Sequence, residues 1–179
     1  VDDRQRFERV YASHYNDVLR YCLRRTRRED ALDAAAETFM VAWRRRADMP
    51  AGHELPWLYG VARRVLANQR RSAHRLHSAT LRLRIVDDGS ATEPEPQLVQ
   101  SQENSDLVAA VARLRPADQE VLRLAGWEEL DRTQIASILG CTPNAVSKRL
   151  NRALDHLADE LGVVTRARGR FLRRREVAE

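Results

Sequence analysis

DRTQIASILGCTPNAVSKRLNRALDHL, residues 131–157, is the stretch whose reading decides the fold. Ile135, Ala136 and Leu139 give a short first helix one apolar face. Gly140 follows, where a chain reversing between two helices needs a residue that tolerates positive φ. Thr142-Pro143 reads as an N-cap with proline at the first helical position. Val146, Leu150, Leu154, Leu157 and Leu161 then recur at helical spacing. The small Ala136 lets the two helices approach, and Val146 plugs between them. The pattern is that of a helix-turn-helix, which presents the N-terminal half of its second helix to the DNA major groove. That half carries Asn144, Ser147, Lys148, Arg149 and Arg152, groups that bond base edges or phosphates. An ordinary helical hairpin inside another all-α protein has the same spacing, so the stretch speaks first to fold and only then to DNA.

Working outward, the whole chain has 179 residues, room for one medium domain or two small ones. Its hydrophobic fraction of 43% supports a packed core. The net charge of +5 fits an anionic partner, and the excess is nearly all arginine, Lys148 being the only lysine. Genomic base composition produces the same bias, so charge alone decides little. Cys22 and Cys141 are too far apart in sequence, and too few, to make a disulfide framework. A reduced, cytoplasmic protein is expected. No run of about 18 apolar residues suggests a membrane span, and VDDRQRFERV at the start lacks a signal-peptide core, so no membrane insertion is expected.

The expected architecture is all-α throughout. A first helix over about 7–25 places Phe7, Tyr11, Val18 and Cys22 on one face. A second, over about 30–46, has an apolar stripe of Leu32, Ala36, Phe39 and Trp43, with Asp33, Glu37 and Thr38 on its other face. The loop ADMPAGHEL, 47–55, leads to a third helix starting near Pro56. Trp57, Val61, Val65, Leu58, Ala62 and Leu66 form its buried side, while Arg63, Arg64, Asn68, Arg70 and Arg71 are exposed. These three helices make an N-terminal bundle domain, 1–78, whose last helix has room to continue through 74–86. A flexible acidic linker spans 79–104, its core being DDGSATEPEPQLVQSQEN at 87–104. A C-terminal helical domain, 105–162, holds two further helices, with Pro116 opening the second and Gly126 breaking it, and then the helix-turn-helix. An arginine-rich tail, 163–179, is expected to be solvated.

Candidate chemistry is thin. His14, His53, His74, His77 and His156 do not cluster with carboxylates at metal-ligand spacing, and they read as solvated helix residues. There is no GxxxxGK or GxGxxG phosphate loop, so neither a metal nor a cofactor is expected, and the chain is not expected to be an enzyme. Trp57 ahead of an arginine face suits single-stranded or melted nucleic acid, and an unstacked base can be held by stacking and edge hydrogen bonds. A plain basic, solvated face with Trp57 in the core fits equally well. The acidic-aromatic second helix suits docking on a basic partner helix, or is an ordinary exposed face over two core aromatics.

Taken in order, these pieces resemble a bacterial RNA polymerase sigma factor of the short, two-domain, extracytoplasmic-function type. The resemblance covers about 7–161 and rests on three blocks. They are FERVYASHYNDVLRYCLRRT leading into DALDAAAETFMVAWRRR, then LPWLYGVARRVLANQRRS, then LRPADQEVLRLAGWEELDRTQIASILGCTPNAVSKRLNRALDHL.

The resemblance implies a promoter-specificity subunit that binds core RNA polymerase and directs initiation. It assigns Asp33, Glu37, Thr38, Phe39 and Trp43 to the helix that docks on the clamp helices of the largest polymerase subunit. It assigns Trp57, Arg63, Arg64, Asn68 and Arg71, with the loop before them, to the melted promoter element. Ser147 and Lys148 become the base-edge candidates in upstream duplex DNA. Asn144 lies beside them, Arg149 and Arg152 are phosphate clamps, and Arg132 and Thr133 assist. An anti-sigma protein is an implied partner. Two positions depart from the family pattern: Ala36 stands where many members have glutamine, and Arg64 where many have asparagine. The rival from the residues themselves is a helix-turn-helix regulator that never binds polymerase. It leaves the arginine face of the third helix without a role.

Overall fold

A computed structural model describes residues 3–83 and 102–161, excepting the side chains at 76–83 and 102–105. Among the described residues there are seven α-helices, a single 3-10 turn and no strand, in line with the all-α expectation. Most of the expected linker and all of the basic tail lie outside the described residues. The chain divides into two compact units.

The first unit comprises α1 (Asp3–Leu23), α2 (Arg28–Arg44), the 3-10 turn Arg46–Asp48 and α3 (Glu54–Leu83). Each of its helices packs on the other two. Val18, Tyr21 and Cys22 of α1 and Leu58, Ala62 and Val65 of α3 are all buried in the core. α3 begins at Glu54, ahead of Pro56, and runs to Leu83, within the extension through 74–86 that the sequence allows.

α2 corrects the expected stripe. Its buried face is Ala31, Ala34, Ala35, Thr38 and Ala42, one position out of register with the predicted Leu32, Ala36, Phe39 and Trp43. Phe39 stays buried at the edge of that face, but Leu32 is 41% exposed, Trp43 38%, and Ala36 is exposed. The reason is size. Four alanines let α2 lie close against its neighbours, so large side chains are turned outward or to the rim.

The second unit comprises α4 (Gln102–Arg113), α5 (Pro116–Gly126), α6 (Arg132–Leu139) and α7 (Pro143–Glu160). α7 packs on the other three. Val111, Val121, Leu124, Ile135 and Val146 are fully buried. Two side-chain contacts tie the far end of α7 down: an ion pair from Arg113 Nε to Glu160 Oε2 at 2.8 Å, and a hydrogen bond between His156 Nδ1 and Asp118 Oδ2 at 2.9 Å. His156 is therefore a half-buried, paired histidine and not the solvated one expected. After α5 the left-handed residue is Glu129, with φ 52, while Gly126 simply ends the helix.

Candidate nucleic-acid interface

The helix-turn-helix is built by local hydrogen bonding. Asp131 caps α6 by accepting from the Thr133 and Gln134 N–H groups at 2.7 and 2.8 Å. The Gln134 side chain returns the bond by accepting from the Asp131 N–H at 3.0 Å, which closes a capping box. Gly140 ends α6 at φ 66, ψ 43, the left-handed conformation the sequence requires there. Thr142 Oγ1 accepts from the Ala145 N–H at 3.2 Å, and Pro143 opens α7.

Val146, Leu150, Ala153, Leu154 and Leu157 turn inward from α7. Its outer face then carries Asn144, Ser147, Lys148, Arg152 and also Asn151, which the sequence reading passed over. Lys148 and Arg152 are exposed, and no hydrogen bond or ion pair among the described residues holds them. Ser147 Oγ donates to the Pro143 carbonyl at 3.0 Å, so what it offers outward is acceptor lone pairs. Arg149 reaches back toward the turn, its Nη1 at 3.9 Å from Cys141 Sγ. Arg132 and Thr133 are exposed at the start of α6.

In the first unit, Arg63, Arg64, Asn68 and Arg71 are all exposed on α3, opposite the buried Leu58, Val61, Ala62, Val65 and Leu66. Arg71 donates to Asn68 Oδ1, which leaves the Asn68 amide donors facing outward. Trp57 is half-buried in the first turn, partly satisfying both the core and the surface reading. Glu54 is the only carboxylate in the sequence of α3, so the described exposed face, with Arg63, Arg64, Arg70, Arg71 and Arg75, carries positive and no negative charge.

α2 presents Asp33 exposed and Glu37 half-buried, with Leu32, Ala36 and Met40 beside them. Thr38 does not belong to that face. It is fully buried and its hydroxyl donates to the Ala34 carbonyl at 2.7 Å, because it sits among the alanines of the inner row. Phe39 lies in an aromatic cluster, with ring centroids 4.8 Å from Tyr11 and 6.0 Å from Tyr15. Trp43 stands edge-on to Phe7 at 5.1 Å, and the Arg46 guanidinium lies over its ring at 4.6 Å.

Several structural arginines had no sequence signal. Arg25 is 5% exposed and lies 3.5 Å over the Tyr21 ring, which stacks on Tyr59 of α3. Arg70 Nη2 donates to the Arg25 carbonyl at 2.9 Å, joining α3 to the end of α1. Arg6 spans from α1 to the loop before α3. Burial pushes the Cys22 thiol up to about 12, against the opposing pull of Arg25 and Arg24, so it is an inert core thiol.

Residues 10–76 match Sigma-70 region 2, and residues 105–157 match Sigma-70, region 4. The chain is 30% identical over 154 residues to the RNA polymerase sigma factor YlaC of Bacillus subtilis, covering 84% of this chain and 88% of that protein. It is 30% identical over 166 residues to the ECF RNA polymerase sigma factor SigL of Mycobacterium tuberculosis, covering 86% and 89% respectively. Two other matched relatives are longer proteins, of which the chain spans 40% and 59%. Its fold is shared with the sigma factor RpoE of Bartonella quintana, solved in complex with the anti-sigma factor NepR. That match has a TM-score of 0.69 at 20% identity, covering 89% of this chain and 99% of the other. The chain belongs to the sigma-70 family, in its extracytoplasmic-function branch. It is accordingly a promoter-specificity subunit of RNA polymerase, a DNA-binding initiation factor with no reaction of its own. Among the described residues no helix is long and apolar enough to cross a membrane.

Proposed function

We propose that the chain divides its work among three surfaces. The outer face of α2 docks on the clamp helices of core RNA polymerase, with Asp33 and Glu37 supplying charge and Leu32, Ala36, Met40 and the exposed edge of Trp43 supplying apolar contact. Thr38 and Phe39 serve this face only from behind, as packing. Arg63, Arg64, Asn68 and Arg71 of α3, with Trp57 and the loop before it, hold the melted promoter strand. In the segment 105–162, Ser147 and Lys148 meet base edges of upstream duplex DNA, flanked by Asn144. Arg149, Arg152, Arg132 and Thr133 hold phosphates.

The observation that carries this reading is the chemical separation within the first unit: an acidic, apolar face on α2 and an arginine-rich one without carboxylates on α3. A protein surface and a polyanion can be engaged together only if like charges are kept apart in this way. Promoter opening then follows from differential binding, since a surface that binds unstacked bases favours the open state. The solved complex of RpoE with NepR supports an anti-sigma protein as a further partner. The chain is taken to act in the cytoplasm.

The test is reconstitution with core polymerase. The chain is expected to co-elute with core enzyme and to programme initiation from a subset of templates. Failure on both counts overturns the reading.

A further inference from the structure

Between the 3-10 turn and α3 the chain passes through Met49 to His53. Met49 is buried, and Pro50, Ala51, Gly52 and His53 are all exposed. The exposed part holds itself weakly: the His53 N–H meets the Pro50 carbonyl at 3.3 Å, and Gly52 turns the chain at φ 77. Its shape therefore depends on how its two ends are fixed, and one side chain from α1 fixes both. Arg6 Nη2 donates to the Met49 carbonyl at 2.8 Å and to Glu54 Oε1 at 3.2 Å. These partners lie 43 and 48 residues further along the chain. The pair is half-buried, with side-chain exposures of 32% and 21%, so solvent screens it only in part. Burial alone would raise the Glu54 carboxyl. The Glu54 and Gly52 backbone N–H groups and Arg6 outweigh that and hold it below the usual carboxylate range. The carboxylate thus ties the apex of the loop to the guanidinium.

We propose that Arg6 is a positioning residue for base selection. By clamping both ends of the 49–54 loop from α1, it sets the shape of the pocket edge that accepts an unstacked base of the melted strand. This rests on the reading of that loop and α3 as the melted-strand surface. A recognition pocket must be held to roughly half an ångström, which four exposed residues cannot do alone. Arginine suits the task because its planar fork serves two acceptors at once, while a lysine ammonium is a point charge on a flexible stem.

The experiment uses holoenzyme assembled from the full chain and core polymerase. A promoter is first selected by the wild-type holoenzyme from a randomised template pool. Binding is then measured to a labelled single strand spanning its melted element, and to a set with single-base changes. For Arg6→Ala, affinity for the matched strand should fall about tenfold, and the ratio between matched and changed strands should collapse toward one. Core binding and binding to the upstream duplex should be unchanged. Arg6→Lys should lose discrimination to an intermediate degree, and Glu54→Gln, which keeps the acceptor oxygen, should retain most of it. An unchanged discrimination ratio with a lowered melting temperature makes Arg6 a fold residue only and overturns the proposal. If Arg6→Ala fails to assemble, Arg6→Lys decides by the same ratio. If the wild-type holoenzyme itself shows no preference among melted strands, the melted-strand reading fails first and the role of Arg6 falls with it.

Discussion

Two left-handed residues bracket α6, and exchanging their chemistry separates backbone strain from every other contribution at the turn. Glu129, at φ 52, precedes the helix, and Gly140, at φ 66, follows it. An L-residue in the left-handed region costs about 1–2 kcal/mol. Glycine gives back about 0.4–1 kcal/mol through the greater freedom of the unfolded chain. Glu129→Gly should therefore stabilise the second unit by roughly 0.5–1 kcal/mol. Glu129 is exposed, so solvent screens any charge interaction of its side chain. Gly140→Ala should destabilise by a similar amount. A Cβ built at Gly140 meets nothing within 4 Å, so its cost is conformational and not a clash. For a unit of this size the shifts correspond to roughly 2–8 °C in melting temperature, of opposite sign. Trp127 lies beside Glu129, and its fluorescence reports the second unit once Trp43 and Trp57 are replaced by phenylalanine. Shifts of the same sign, or a lower melting temperature for Glu129→Gly, would refute the assignment of strain to these positions.

Lys148→Ala should change upstream sequence preference at a cost of about 1–3 kcal/mol on the preferred site. Arg152→Ala should instead weaken all sequences alike and flatten the salt dependence, and equal losses from both in a quantitative binding assay would make Lys148 a phosphate contact. Met40→Arg, at a side chain 53% exposed, should leave the melting temperature within the scatter of neutral surface changes yet reduce co-elution with core polymerase. Unchanged core affinity would remove Met40 from the docking face. Iodoacetamide at pH 8 should label Cys141 and spare Cys22 until the chain unfolds. Because folding raises the Cys22 thiol from 9.0 to about 12, its contribution to stability is complete below pH 9 and lost as pH rises toward 12. Denaturation midpoints across that range should fall faster for the natural chain than for Cys22→Ala.

The helix-turn-helix was legible because its determinants are local. Gly140, Thr142 and Pro143 act within a few residues of themselves; the Asp131 to Gln134 box is just as local, at a fixed spacing of three, but only the structure brought it out. α2 was misread by one position because hydrophobic size was taken as a guide to burial. There the packing distance selected alanine, and the large residues were left outside. The same error concealed that Leu32 and Met40 are exposed on the outer side of α2. Glu129 carries no residue-type signal for its left-handed backbone, and Gly126 nearby drew the break to itself. Arg6 and Arg70 were beyond reach for a different reason: their partners lie 43 to 48 residues away, and nothing in a helical periodicity records where a guanidinium finds a carbonyl.

The alanine row of α2 also sets what evolution can do with this helix. Ala31, Ala34, Ala35 and Ala42 leave no side chain to trim except to glycine, and any enlargement overpacks a closed seam. Thr38, its hydroxyl already bonded to the helix backbone, is almost as constrained. Variation is thereby channelled to the opposite side, where the exposed Leu32, Asp33, Ala36 and Met40 can change with little effect on the bundle. If this face docks a partner as proposed, substitutions there can retune the contact while the scaffold behind it stays fixed, and position 36, exposed and occupied by alanine, is open to that.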